Sequence, residues 1–102
     1  MSYPHPVVEA EFHTAVRSWL LAAFEHVEHE VTLESGRRPD FIAHTPFESY
    51  YLEVESSGEK LYESIGQALV YAHETGYEPV VVFPASSPPD GPVPEEIRVV
   101  TL

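Results

Sequence analysis

Two acidic segments, separated by thirteen residues, are the places where this sequence could do chemistry. Asp40 follows Pro39 in a turn, and Glu53 and Glu55 flank Val54 in a segment of alternating residue types. Carboxylate and carbonyl oxygens are the ligands that hard cations prefer. A bound cation activates water and stabilises charge on phosphorus, as phosphodiester hydrolysis requires. Asp40, Glu53 and the Val54 carbonyl are therefore candidate ligands for Mg²⁺ or Mn²⁺.

The first half of the chain predicts a helix followed by three strands. Apolar residues at three- and four-residue steps predict an amphipathic helix over residues 7–25, with one face formed by Val8, Phe12, Val16, Trp19, Leu20 and Ala23. Residues 26–33 read as a strand and residues 35–39 as a turn. Residues 41–43 and 50–55 then predict two strands around a turn at 45–49.

This hairpin would bring the acids together. Side chains alternate along a strand, so Glu53 and Glu55 should share one face, with Leu52 and Val54 on the other. If the two strands pair, Asp40 and Glu53 both lie towards the open end of the hairpin.

The second half predicts a helix, an interior strand and a terminal edge strand. Residues 59–75 form the helix, with an expected buried stripe of Leu61, Ile65, Ala68, Leu69 and Ala72, and Gly76 is its expected C-cap. The apolar run 79–83 predicts a strand covered on both faces and parallel to the strand before the helix. Residues 84–94 are a proline-rich loop, and residues 95–102 add the edge strand. We expect one domain of the α/β class, a small mixed sheet flanked by helices.

The composition restricts partners and metals. Seventeen acidic residues face five basic ones, the net charge is −12, and Lys60 is the only lysine. Such a surface is typical of halophilic archaeal or viral proteins, since molar salt shortens the Debye length to about 3 Å and removes long-range repulsion of DNA. The chain has no cysteine, so oxygen or imidazole must hold any metal. No secretion signal or spanning segment is evident, which predicts a soluble cytoplasmic protein.

The segments GRRPDFIAH, YYLEVES and QALVY together resemble the motifs of the PD-(D/E)XK nuclease superfamily. The resemblance covers roughly residues 9–83. The spacing of the motifs resembles that of archaeal Holliday-junction resolvases, and the helical segment QALVY resembles a motif of the exonuclease- and resolvase-like branches. It implies a restriction-endonuclease-like αβββαβ core and a Mg²⁺- or Mn²⁺-dependent DNA endonuclease acting on branched or processed DNA. By this resemblance Asp40 and Glu53 are metal ligands.

The resemblance also assigns residues on the two helices. Gln67 and Tyr71, one helical turn apart, would face the site or the DNA strand. Glu9 or Glu11 on the first helix would be the accessory acid of the family.

At position 55 this sequence departs from the family, because Glu55 stands where the motif lysine is expected. A glutamate can act as a base or as an additional metal ligand, but it cannot supply the positive charge. Residues 60, 64, 67 and 71 share a helical stripe. We therefore expect Lys60 to supply the missing charge from the helix.

Other interpretations remain open at this stage. Glu53 and Glu55 could be the solvated face of an amphipathic strand, and the fold could be a catalytically inactive module that binds DNA or protein. The proline-rich loop 84–94 could instead dock a protein partner. His26 and His29, three residues apart in a strand, should point to opposite faces and not chelate together. A homodimer is expected, since a domain of 102 residues covers little duplex.

Overall fold

A computed structural model describes residues 9–29, 32–36, 39–55 and 61–102 of the chain. It contains two helices and a sheet of five strands. In chain order the elements are α1 Glu9–Ala23, β1 His26–His29, β2 Phe41–His44, β3 Ser49–Val54, α2 Leu61–Thr75, β4 Glu78–Phe83 and β5 Arg98–Thr101. The expected α/β class, with a small mixed sheet and flanking helices, is confirmed.

The sheet has the order β1-β2-β3-β4-β5. β1, β2 and β3 form an antiparallel meander, whereas β3, β4 and β5 are mutually parallel. The parallel pairing of β3 and β4 across α2, expected from the helix between them, is confirmed. β4 is buried from Pro79 to Phe83, as expected of an apolar strand covered on both faces.

Each face of the sheet carries its own core, because successive strand side chains point in opposite directions. α1 covers one face, where its buried residues Phe12, Val16 and Leu20 pack with Phe41, Ala43, Leu52, Val54, Val80 and Val82. α2 covers the other, where Leu61, Ile65, Ala68 and Tyr71 pack with Ile42, Tyr51, Val81, Phe83 and Ile97. Glu53 lies on the α2 face, since it is two residues after Tyr51 in β3.

Three local expectations are corrected by the structure. α1 ends at Ala23, which is exposed and therefore outside the apolar stripe. Leu69 is also exposed, because the buried stripe of α2 runs through Ser64, Ala68 and Tyr71. The first strand is observed over His26–His29, and residues 32 and 33, which the prediction included, are not in a strand.

Turns and loops follow the glycine pattern of the sequence. Gly76 has φ 73° and its N–H donates to Ala72 O at 2.8 Å, so the expected C-cap of α2 is confirmed. In the proline-rich loop, a side chain at Gly91 would lie 3.3 Å from Tyr62 Oη and 3.4 Å from Leu61 Cδ2. This loop therefore packs closely on the start of α2.

No helix in the described ranges is long and apolar enough to span a membrane.

Candidate metal centre

The hairpin register brings Asp40 opposite Glu53. β2 and β3 pair Ile42 with Tyr51 and Phe41 with Leu52. One step further towards the open end, Asp40 faces Glu53. Directly opposed residues of an antiparallel pair share a face and lie about 5 Å apart at Cβ. Both carboxylates therefore belong to the α2 face of the sheet.

Asp40 is fixed by a backbone hydrogen bond. The Val54 N–H donates to Asp40 Oδ2 at 2.7 Å, whereas the next N–H, that of Glu55, donates to Val82 O at 2.9 Å on the opposite side of β3. The N–H and C=O of one strand residue point towards the same neighbouring strand. The Val54 carbonyl is accordingly directed towards the side of β3 on which Asp40 lies.

Glu53 is a buried carboxyl group in an acidic environment. Its exposed fraction is 6%, and within the described part of the chain its Oε1 has no hydrogen-bond partner. Burial, followed by the charges of Asp40 and Glu55, raises the pKa of Glu53 to about 8. The interpretation of Glu53 as part of a solvated face is therefore wrong.

A divalent cation would fit this arrangement of groups. An unpartnered buried oxygen is rare in folded proteins because it costs about 1–3 kcal/mol. At neutral pH, Glu53 must hold a proton or meet a cation. Three carboxylates with a nearby backbone carbonyl make a hard oxygen donor set, which suits Mg²⁺ or Mn²⁺. The donor chemistry and the unpartnered Oε1 thus agree with a metal site.

The two α2 residues expected near this site lie in different environments. Tyr71 is 8% exposed, and its ring packs edge-on against that of Tyr51, with centroids 5.5 Å apart. Gln67 is exposed and lines an open groove with Tyr62, Glu63, Gly66, Val70 and Tyr71. Tyr71 therefore packs against the sheet at Tyr51, two residues before Glu53, whereas Gln67 faces solvent in a groove whose lining does not include Asp40, Glu53 or Glu55.

The remaining expected residues are not brought to the cluster by the described structure. Glu11 is exposed on α1, which packs on the face opposite Glu53, and no contact within the described ranges joins it to Asp40 or Glu53. The side chain of Glu9 and the whole of Lys60 lie outside the described residues.

Sequence reasoning missed a second cluster on the same face of the sheet. His26, Glu28 and His44 place potential ligand atoms within 4.8 Å of one another. His29 lies on the other face, stacked on Phe41 at 4.8 Å. The available sequence signal is the two-residue step from His26 to Glu28, which places both side chains on one face of a strand. That His44 lies beside them follows only from the pairing of β1 with β2.

Comparison with known proteins adds no relative to this picture. No protein-family model matches the chain, and a search of curated proteins finds no significant match.

Proposed function

We propose that this protein is a metal-dependent DNA endonuclease of the PD-(D/E)XK type, which hydrolyses phosphodiester bonds in branched or processed DNA. The observation that carries the proposal is the buried Glu53 facing Asp40, whose Oε1 has no hydrogen-bond partner among the described residues and whose pKa is raised to about 8. The observed order of α1, β1, β2, β3, α2 and β4 also agrees with the αβββαβ core of that superfamily. A cytoplasmic location and a homodimer belong to the same proposal.

Each residue of the site has a defined task in this mechanism. When bound, Mg²⁺ or Mn²⁺ would polarise the phosphate and lower the pKa of water. Asp40 is oriented by the Val54 N–H and presents its carboxylate towards Glu53. With a cation bound, Glu53 would hold it as the carboxylate, its proton having passed to solvent, so that its buried charge would be compensated. Glu55, two residues further along the chain and half-buried, would orient the attacking water or accept its proton.

Exposed residues of α2 would contact DNA. Gln67 lies in the open groove along α2, where its amide can donate to a phosphate or a base. Tyr71 holds this part of α2 against Tyr51 and thereby positions Gln67. The acidic surface is compatible with DNA in molar salt, where screening acts over about 3 Å.

Cleavage of supercoiled and branched DNA in molar KCl tests the proposal. The wild-type protein should cut with Mg²⁺ or Mn²⁺ and not with EDTA. Asp40→Asn should remove cleavage, and its amide oxygen can still accept the Val54 N–H. The matched control is Asp90→Asn, since Asp90 is exposed in the proline-rich loop. Equal activity of both variants, or no metal-dependent cleavage by the wild-type protein, would contradict the proposal.

A catalytically inactive DNA- or protein-binding module is the second candidate. The observation that favours it is Glu55, whose negative charge adds to the raised pKa of Glu53 where the resembling family has a lysine. In this case the chain would bind Mn²⁺ or branched DNA in molar KCl without cutting it.

Lys60 is the residue expected to supply the positive charge that Glu55 cannot provide. If its ammonium group replaces the missing charge, Lys60→Met should abolish cleavage and leave Mn²⁺ affinity unchanged. Arg17→Met, an exposed basic residue on α1, is the control. An unchanged cleavage rate in Lys60→Met would remove this role.

A further inference from the structure

A group of three metal-ligating side chains lies at the other end of the α2 face. β1 and β2 pair His26 directly with His44 and Glu28 with Ile42. His26 and Glu28 are two residues apart in β1, so their side chains and that of His44 project to the same side. Their potential ligand atoms lie within 4.8 Å of one another.

His44 is the best-positioned member of this group. Its Nδ1 lies 2.7 Å from Ser49 Oγ, and its Nε2 lies 2.6 Å from Glu28 Oε2. The ring also stacks on that of His26, with centroids 5.2 Å apart, and meets Tyr77 edge-on at 6.0 Å. Its orientation is therefore set from several directions before any ligand arrives.

Ser49 can pair with the His44 tautomer that a metal needs. A metal-bound Nε2 offers its lone pair, so the remaining ring proton sits on Nδ1. From there it can be donated to Ser49 Oγ, since a hydroxyl oxygen accepts hydrogen bonds. Ligating histidines nearly always have such a partner on the second ring nitrogen.

We infer that His26, Glu28 and His44 form a binding site for a borderline divalent cation of the Zn²⁺ or Co²⁺ class, which clamps edge strand β1 to β2. Two imidazoles and one carboxylate are a donor set that such ions favour over Mg²⁺. Within the described sheet, β1 pairs only with β2 and has four residues. A metal bridging the two strands would therefore stabilise this edge of the sheet.

This site is distinct from the acidic cluster in place and in chemistry. Asp40 and His44 lie four residues apart along β2, which corresponds to about 13 Å. Mg²⁺ prefers the all-oxygen cluster, whereas Co²⁺ and Zn²⁺ prefer imidazole nitrogen. The inference therefore does not depend on the nuclease proposal.

Co²⁺ titration of the EDTA-treated full chain, followed by visible absorption, tests the inference. We expect saturable d–d bands, and the change His26→Gln should weaken Co²⁺ binding at least about tenfold. His26 is exposed, and circular dichroism checks that the variant keeps its fold.

Two control variants locate the bound ion. His73→Gln, an exposed histidine in the last turn of α2, and Asp40→Asn should both leave the Co²⁺ bands and affinity unchanged. Unchanged binding in His26→Gln, or an equal loss in His73→Gln, would overturn the site. Loss of the bands in Asp40→Asn alone would place Co²⁺ at the acidic cluster and also overturn it.

Discussion

The two ends of the sheet face covered by α2 each carry a glutamate, and the two glutamates differ in burial and in hydrogen bonding. At one end Glu53 is buried, faces Asp40 and has an oxygen without a partner in the described structure. At the other, Glu28 is half-buried and pairs with His44 at 2.6 Å. Among the described residues, one glutamate thus has an oxygen without a hydrogen-bond partner, whereas the other is paired with a histidine.

This difference follows from what surrounds each group. Glu53 is buried on the sheet face that α2 covers, and the charges of the described residues that raise its pKa, those of Asp40 and Glu55, have the same sign as its own. Around Glu28 the sheet edge stays open, and two histidines provide nitrogen donors. One face of a small sheet can therefore offer a hard oxygen site and a nitrogen-rich site side by side.

The largest expected difference between the two ends concerns DNA cleavage with Mg²⁺. Glu53→Gln should lower the rate by at least about a hundredfold, since even outer-shell changes cost 10- to 100-fold. Glu28→Gln should leave the rate within a factor of about two, because a change this far from a reaction centre is a surface change. The measurement is initial cleavage of supercoiled DNA in molar KCl at saturating Mg²⁺. Equal losses in the two variants would remove the distinction.

The second-largest expected effect is that Glu53 makes the free energy of unfolding depend on pH. The pKa of Glu53 rises from 4.5 in the unfolded chain to about 8 in the folded one. Below pH 4.5 the carboxyl is protonated in both states. Between pH 4.5 and 8 the unfolded chain loses the proton first, so the free energy of unfolding falls, and above pH 8 the loss is complete.

Urea unfolding in EDTA measures this loss. Each pKa unit corresponds to about 1.4 kcal/mol, so the wild-type protein should lose a few kcal/mol relative to Glu53→Gln between pH 5 and pH 9. Mg²⁺ should restore part of the loss, since it binds only the folded form. If the free energy of unfolding of the two proteins changed with pH in parallel, the pKa of Glu53 would not be raised in the folded protein. The control Glu78→Gln changes an exposed glutamate at the start of β4 and should follow the wild-type profile.

At the histidine end, Ser49→Ala should weaken Co²⁺ binding by about 10- to 100-fold, because His44 loses the acceptor for its Nδ1 proton. Cleavage with Mg²⁺ should be unchanged. Thr45→Ala in the adjacent turn is not a suitable control, since Thr45 Oγ1 accepts the Glu48 N–H. Ser86→Ala, an exposed serine in the proline-rich loop, serves instead. Wild-type Co²⁺ affinity in Ser49→Ala would show that Ser49 does not position His44.

The smallest expected effect is that of Glu28→Gln on the stability of the metal-free protein. The side chains of His44 and Glu28 are 24% and 38% exposed, and pairs this accessible contribute less than about 1 kcal/mol. Urea unfolding at pH 7 in EDTA measures the difference. A loss of several kcal/mol would mean that the edge strand depends on this pair even without metal.

The sequence predicted the acidic end better than the histidine end, for a physical reason. Residue alternation and a short turn define the β2–β3 hairpin, and the opposition of Asp40 and Glu53 follows from its register. The burial of Glu53 does not follow, because strand alternation is the same whether water or a helix covers that face. The burial of Glu53 depends on which parts of the folded chain pack over that face of the sheet.

The pairing of His26 with His44 could not be read from the sequence in the same way. The predicted strand continued to residue 33, whereas β1 ends at His29, so the register across the longer β1–β2 connection was undefined. The apolar stripes of the two helices predicted most of the core, with errors at Ala23 and Leu69. Ala23 is the last residue of α1, and Leu69 follows the buried Ala68 in α2. A step of one residue turns a side chain by about 100° around the helix axis, which is enough to change its exposure.

Anomalous diffraction from crystals soaked in Mn²⁺ determines whether the buried glutamate is a metal ligand. We expect a peak within coordination distance of both Asp40 and Glu53, which is lost in crystals of Glu53→Gln. If the peak were absent there in well-ordered wild-type crystals, or found only beside His26 and His44, the buried glutamate would not be a metal ligand.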